Sequence, residues 1–319
     1  MEQDFISALG PQLLFPLLRI TALIIVGLFV ANFIESLNWT HRLALLARPL
    51  IRMGNLSSIT GASFSVAFFS GISANSMLAE SFDSGQITKK ELILANLFNS
   101  LPRFFLHLPT VFFLTAPLIK FGALMYVGIT FSGALLQTFL VVTAGRFLLP
   151  KTELKIDLPE ATGEKATLKS AFQKSVKRLK KRLIKLLKFM LPVYLLFFFM
   201  NWFGVFARIE QFLAGNVWFL SWLSPQALGI VVLHVTTEFS AGLAAASALL
   251  ADNSLTYKEV VMALLVGNIL STPIRAIRHQ LPYYTGIYSP RLAVELVSLS
   301  QIVRAICVIA VGLIYFVTW

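Results

Sequence analysis

The sequence predicts an all-α polytopic membrane protein, built from two related repeats joined by a basic linker. Three observations carry this. Hydrophobic residues make up 57% of the 319-residue chain and charged residues only 13%, against about 25% charged in an ordinary soluble domain. Residues 13–33, 189–206 and 294–319 are apolar runs, long enough to cross about 30 Å of hydrocarbon at about 1.5 Å per residue. The chain also matches itself. "FSGISANSMLAESFDSGQITKKEL" at 69–92 is answered by "FSAGLAAASALLADNSLTYKEV" at 239–260, and "NSLPRFFLHLP" at 99–109 by "LSTPIRAIRHQLP" at 270–282. Self-similarity at a fixed spacing marks a repeated architecture. The ten-residue alternation of an outer-membrane barrel is not seen.

The repeats are read as 10–149 and 184–319, with the linker at 150–183. Each runs through the same series. An apolar helix (11–36; 184–207) is followed by a shorter amphipathic piece (38–54; 208–224). Next comes a helix rich in Gly, Ala and Ser (56–82; 226–251), whose small side chains let helices approach closely in lipid. A polar turn, Asp83-Ser84-Gly85 or Asp252-Asn253-Ser254, leads to a helix capped by Thr88 or Thr256. Glu91 and Glu259 stand in its first turn, where a carboxylate complements the helix dipole. That helix is interrupted near Pro102 or Pro273, and a long apolar helix (121–148; 292–318) closes the repeat. The N-terminus "MEQDFIS" has no basic region before the first apolar run, so the first helix is expected to stay as a span. The single cysteine, Cys307, lies in the last apolar helix and leaves no partner for an intrachain disulfide.

Charge orients the chain. Of a net +12, residues 146–188 carry thirteen Lys/Arg against four Asp/Glu. A basic excess next to spans marks the cytoplasmic side. Within it, "KSAFQKSVKRLKKRLIKLLK" sets Leu and Ile at helical spacing and runs directly into the next span. Residues 165–188 therefore read as an amphipathic helix on an anionic lipid leaflet rather than a nucleic-acid surface. Arg42, Arg48 and Arg52 contrast with Arg208 in the counterpart piece. This predicts repeats of inverted orientation, with broken or re-entrant helices and a solute site at the midplane between them. Parallel repeats with four crossings each are the alternative. A homodimer is compatible with either plan.

Polar groups inside spans are costly unless partnered, and they concentrate in matching segments of the two halves. Repeat one supplies Asn75, Asn96, Asn99, Ser100, Arg103 and His107; repeat two supplies His234, Glu238, Asn268, Ser271, Thr272, Arg275, Arg278 and His279. Pro102 and Pro273 cannot donate to a helix ladder and so free backbone groups beside these residues. Arg103 and Arg275 follow the prolines, with His107, Arg278 and His279 about one turn further on. Two guanidinium groups brought together would hold an anion bidentately. The structural alternative is that each arginine caps the freed carbonyls or pairs with Glu238. Glu238 is the carboxylate placed to couple protons to transport. No phosphate-binding loop, zinc-protease motif or nucleophile elbow is present, so neither an enzyme nor a cofactor nor a metal site is expected.

Ser70-Gly71, Leu78-Ala79-Glu80 and Gly85-Gln86-Ile87-Thr88 with Glu91, followed by a helix with an Asn and a polar-Pro break, resemble the nucleoside-recognition or Gate domain. That domain occurs in concentrative nucleoside transporters, in the permease part of bacterial ferrous-iron transporter B, and in sporulation and spore-maturation membrane proteins. The stand-alone sporulation-type members are the most similar. The resemblance implies a bacterial inner-membrane protein that binds or moves a solute. It does not imply iron here, because Cys307 is alone and the sequence holds no P-loop. The paired arginines suit a carboxylate or phosphate better than a neutral nucleoside. The expected function is transport of an anionic or phosphate-bearing solute, soluble or lipid-linked, by alternating access. Arg103, Arg275, Arg278, His107, His279, Asn99, Ser100, Asn268 and Thr272 are the expected solute contacts. A nucleoside permease and a non-transporting module that recruits partners through its basic helix are the alternatives.

Overall fold

A computed structural model of the chain describes residues 47–68, 70–150, 222–236 and 239–318, with isolated positions in 14–29 and 169–203. The first apolar helix, the linker with its 165–188 helix, and the residues around 184–221 lie outside this description for the most part. Glu238 lies outside it as well.

Among the described residues the chain is helical, without a strand. Repeat one contributes α1 (Ala47–Met53), α2 (Ser58–Ala67), α3 (Gly71–Asp83), α4 (Lys89–Phe98), α5 (Ser100–Ile119) and α6 (Phe121–Leu148). Repeat two contributes α7 (Pro225–Thr236), α8 (Phe239–Ala251), α9 (Tyr257–Leu270), the short α10 (Thr272–Arg275), a π-helical segment (Ala276–Gln280), α11 (Leu281–Thr285) and α12 (Pro290–Thr318).

Among the described residues, three stretches are long and apolar enough to cross a membrane: the 31 residues Lys89–Ile119, the 28 of α6 and the 29 of α12. Each exceeds the roughly 20 residues a bilayer requires. Large apolar side chains stand outward on them, Phe139 and Phe147 on α6 and Ile314 and Val317 on α12. In water such faces would be costly; in lipid they are ordinary. The chain is an integral membrane protein by these features.

The small-residue segments correct one sequence expectation. A single helix over 56–82 is expected, but the chain is broken between α2 and α3. Ser70 takes an extended conformation, and its Oγ accepts the Ser73 N–H. That cap satisfies an orphan donor at the start of α3 and stops α2 from running on. The second expected helix, 226–251, is described as α7 and α8, with residues 237 and 238 between them outside the described residues. One small-residue segment is thus broken, as are the proline-bearing helices.

The turn after each is built alike. Gly85 takes φ 73° and Asn253 φ 59°. Gln86 N–H donates to Ser81 O, and Ser254 N–H to Leu249 O. These are left-handed helix closures of the Schellman kind, with a hydrophobic residue, Ile87 or Leu255, buried just beyond. Thr88 and Thr256 then cap α4 and α9 through their hydroxyls, as expected. Glu259 reaches back to Thr256 in a full capping box. Glu91 instead accepts from Ser57 N–H and Thr60 Oγ1, tying the start of α2 to α4.

Three apolar cores hold the helices together. One joins α5 and α6 to α7, α8, α9 and α12. A second lies within repeat one, around Phe64, Phe68 and Phe98. The third joins α3 and α4 to α11 and α12. Two of the three therefore mix residues from both repeats. Glycines bring the backbones close: a Cβ on Gly133 of α6 would meet Val308 of α12 at 3.1 Å.

Candidate functional site

The breaks near the prolines expose backbone carbonyls, and the arginines use them. α4 ends at Phe98 and α5 begins at Ser100, with Asn99 at φ −67°, ψ −1° between them. α9 gives way to α10 at Ser271, φ −75°, ψ −11°. Arg103 Nε donates to Asn99 O (3.1 Å) and Nη2 to Asn96 O (3.2 Å). Arg275 Nη2 donates to Asn268 O (2.8 Å). Both arginines thus reach back seven residues to the carbonyl of an asparagine in the preceding helix. Pro102 is buried and Pro273 exposed, so the two breaks share chemistry more than surroundings. In the second, the π-helical segment follows at once, a form often met at functional sites.

Asn268 is the hub of the second break. Its Nδ2 donates to the Tyr126 hydroxyl (2.8 Å), and its Oδ1 accepts Arg275 Nη2 at 2.6 Å and Arg304 Nη2 at 3.3 Å. Its carbonyl also accepts from Ser271 Oγ and Thr272 Oγ1. In the first break Asn96 Nδ2 donates to the Tyr284 hydroxyl (2.8 Å) and to Asn75 Oδ1 (2.9 Å). Tyr126 belongs to repeat one and Tyr284 to repeat two. Each buried asparagine is therefore tied across to the other half.

Arg304 is a site residue that the sequence expectation does not contain. It stands at the middle of α12, half-buried, within Coulombic reach of both Arg275 and Arg103. A lone charge at the centre of an apolar span costs about 2.5–3.5 kcal/mol even on the mildest scale, and that was the available signal. No sequence signal marks Tyr126 or Tyr284.

Arg275 and Arg304 meet no carboxylate among the described residues; their bonds are to Asn268. Sharing one oxygen keeps their Nη2 atoms within about 6 Å, where two unit charges repel by about 3 kcal/mol at an effective dielectric of about 20. Asn268 orients the pair but carries no charge to offset it.

The other expected residues fall as follows. Asn99 is buried, and its Nδ2 donates to Ser63 Oγ (2.7 Å). Its Oδ1, Ser100 Oγ and Asn96 Oδ1 are buried with no hydrogen-bond partner, as is Asn75 Nδ2. Unused buried donors and acceptors are rare, and these four lie on α3, α4 and α5 around the first break. The aliphatic stem of Arg103 lies against Gly71 at the start of α3. Thr272 is buried and bonded to its own helix end. His107 is exposed, one turn beyond Arg103. Arg278 and His279 lie in the π-helical segment, with side chains outside the described residues. The site therefore draws together Arg103, Arg275, Asn268 and Thr272, and adds Arg304.

Comparison with known proteins gives relatives without a stated activity. An uncharacterized protein of Methanocaldococcus jannaschii is 26% identical over 286 residues, covering 89% of this chain and 88% of its own. A second from the same archaeon is 28% identical, covering 88% and 89%, and a third is 22% identical, covering 92% and 96%. The likeness spans nearly the whole of each. No protein-family model matches the chain, and no solved structure matches it.

Proposed function

We propose that this chain is a membrane carrier for an anionic or phosphate-bearing solute, held where the broken arms of the two repeats meet. The observation that carries this reading is the Arg275–Arg304 pair on Asn268, two like charges without a described carboxylate. Guanidinium forks match carboxylate and phosphate oxygens in geometry, and an anion between them would replace repulsion with attraction. Arg103 adds a third positive group beside the start of α3, whose dipole also favours negative charge. The partnerless amide and hydroxyl groups of Asn75, Asn96, Asn99 and Ser100 would serve an uncharged part of the same solute.

Discontinuous helices around a midplane site support alternating access, and with it the inverted-repeat plan and the Gate-type resemblance. The cytoplasmic membrane is the compartment this reading assigns; the archaeal relatives widen it beyond bacteria. Glu238 remains the proposed carboxylate for coupling.

The test is binding and uptake by the full chain, purified in detergent and reconstituted in liposomes. A panel of sulfate, inorganic phosphate, pyrophosphate, dicarboxylates, soluble lipid-phosphate headgroups and neutral nucleosides is screened by thermal shift, then by radiolabelled uptake. Stabilisation by the anions, lost in Arg275→Gln and Arg304→Gln, is expected. Stabilisation by nucleosides alone would instead favour the permease reading. No uptake of any solute, with loss of phenotype on deleting 165–188, would favour the recruiting module.

A further inference from the structure

The two breaks are braced alike except in charge. At the first, the closing helix of the repeat, α6, sends in Gln137, whose Nε2 donates to Leu97 O (3.3 Å) in the last turn of α4. At the second, the closing helix α12 sends in Arg304, which donates to Asn268 Oδ1 (3.3 Å) in the last turn of α9. Gln137 is buried and uncharged. A neutral amide therefore suffices to tie one arm to its closing helix. An arginine making the same reach brings the cost of a charge in hydrocarbon and sets that charge beside Arg275. Bracing does not account for it.

No carboxylate among the described residues answers the pair. On α9, Glu259 stands nine residues before Asn268; on α12, Glu295 stands nine residues before Arg304. Either interval is about 14 Å of helix at about 1.5 Å per residue. Glu259 bonds the Thr256 cap, and Glu295 is paired with Lys89 at 2.7 Å. Glu91 accepts from Ser57 and Thr60, while Glu80, Asp83 and Asp252 are exposed at the polar turns. Asn268 and the side chains bonded to it from Tyr126, Ser271 and Thr272 are neutral. Arg103, also within Coulombic reach of Arg304, is positive.

We propose that the Arg275–Arg304 pair selects a solute whose double negative charge is gathered on one group: a phosphate monoester, or free phosphate, in its dianionic form. Phosphate diesters and monocarboxylates are the disfavoured class. The inference rests on the anion reading above and narrows it. A singly charged group would leave one net positive charge inside the membrane; a doubly charged group leaves none. The shared oxygen keeps the two Nη2 atoms within about 6 Å, so one compact group reaches both. Three terminal oxygens on one phosphorus can meet a fork from each side. Doubling the solute's charge doubles its attraction to each guanidinium. The second charge also gives up more hydration on entry, so the selectivity is set by the difference of the two.

Methyl phosphate and dimethyl phosphate are the probes, since they share a tetrahedral core and differ by one charge near pH 8. Calorimetry on the detergent-purified full chain should show methyl phosphate binding at least about tenfold tighter there. That advantage should vanish near pH 5, because the monoester takes up a proton with a pKa of about 6. Sulfate, doubly charged throughout, should bind equally at both pH values and so controls for titration of the protein. Arg304→Gln, which gives the second break the neutral brace of the first, should bring the two esters within about threefold. Glu238→Gln should keep the wild-type ranking. Dihexanoyl phosphatidate, with the diester dihexanoyl phosphatidylglycerol as its control, assigns the source. Tighter binding of phosphatidate than of methyl phosphate marks a lipid-borne monoester, and equal binding a soluble one. Equal affinity for methyl and dimethyl phosphate near pH 8, or tighter binding of acetate than of either, overturns the proposal while the anion reading stands. So does monoester selectivity that survives Arg304→Gln, or that appears only in Glu238→Gln. Absence of binding by every one of these anions overturns the anion reading itself.

Discussion

Arg275 and Arg304 donate to the same oxygen, Asn268 Oδ1, at 2.6 and 3.3 Å. One neutral amide thereby holds two cations from different helices of the second repeat.

Arg304→Gln should therefore separate stability from binding. Losing one of two mutually repelling charges should leave the melting temperature of the solute-free protein equal or higher. Anion-induced stabilisation should fall by more than half, since hydrogen bonds between charged groups contribute about 1.5–3 kcal/mol each. Differential scanning fluorimetry with and without sulfate or pyrophosphate reads both. A large drop in the solute-free melting temperature would show that Arg304 is a structural brace instead.

Asn268→Asp should give the same pattern by another route. A carboxylate at this position would pair with both arginines and offset one of their two positive charges, so the solute-free protein should melt higher and anion binding should weaken. Asn268→Leu should destabilise by about 2–4 kcal/mol, because Tyr126 and both guanidiniums lose a buried partner. Chemical denaturation in mild detergent measures the difference. Equal anion affinity in Asn268→Asp and wild type would remove Asn268 from the site.

The cross-repeat tyrosines are expected to act as a pair of ties. Tyr284→Phe leaves Asn96 Nδ2 with the Asn75 bond, and Tyr126→Phe leaves Asn268 Nδ2 unpaired. Each should cost about 1–3 kcal/mol, with Tyr126→Phe the worse. If the repeats must part during transport, Tyr284→Phe should also change the uptake rate more than the affinity. Initial-rate measurements at several solute concentrations separate the two.

Gly145→Ala tests a purely structural close approach. A Cβ there would strike the carbonyl oxygen of Gly54, a backbone atom that cannot rotate aside. Loss of about 1–3 kcal/mol is expected, with the anion response of the surviving folded protein unchanged. Gly128→Ala in the same helix has open space around its Cβ and should be neutral or slightly stabilising.

Much of the fold was legible for definite reasons. Apolar length alone marks α6 and α12, expected at 121–148 and 292–318. Thr88 and Thr256 cap helices because a hydroxyl at that position satisfies an orphan N–H, a strictly local event. Gly85 and Asn253 close their helices because few residues tolerate a left-handed turn. Arg103, Arg275, Asn268 and Thr272 were legible as polar groups near the helix breaks because each is costly in hydrocarbon. The break between α2 and α3 was not legible, since a run of Gly, Ala and Ser is equally compatible with one helix or two. Ser70 decides it by turning its hydroxyl to Ser73, a choice among rotamers that composition does not record.

The sequence by itself determined that this protein lives in lipid, that its halves share a plan, and that arginines flank its helix breaks. Those follow from hydrophobic length, from internal repetition and from the rigidity of proline, all properties of neighbouring residues. Only the tertiary structure decided which arginines meet. Arg304 lies 29 residues beyond Arg275, and nothing local links them. They converge because the cores shared between the repeats set α12 against α6 and α9, and because Asn268 accepts from both. Contacts of that kind depend on how helices are stacked, and stacking is fixed by burial summed over the whole molecule rather than by any stretch of it.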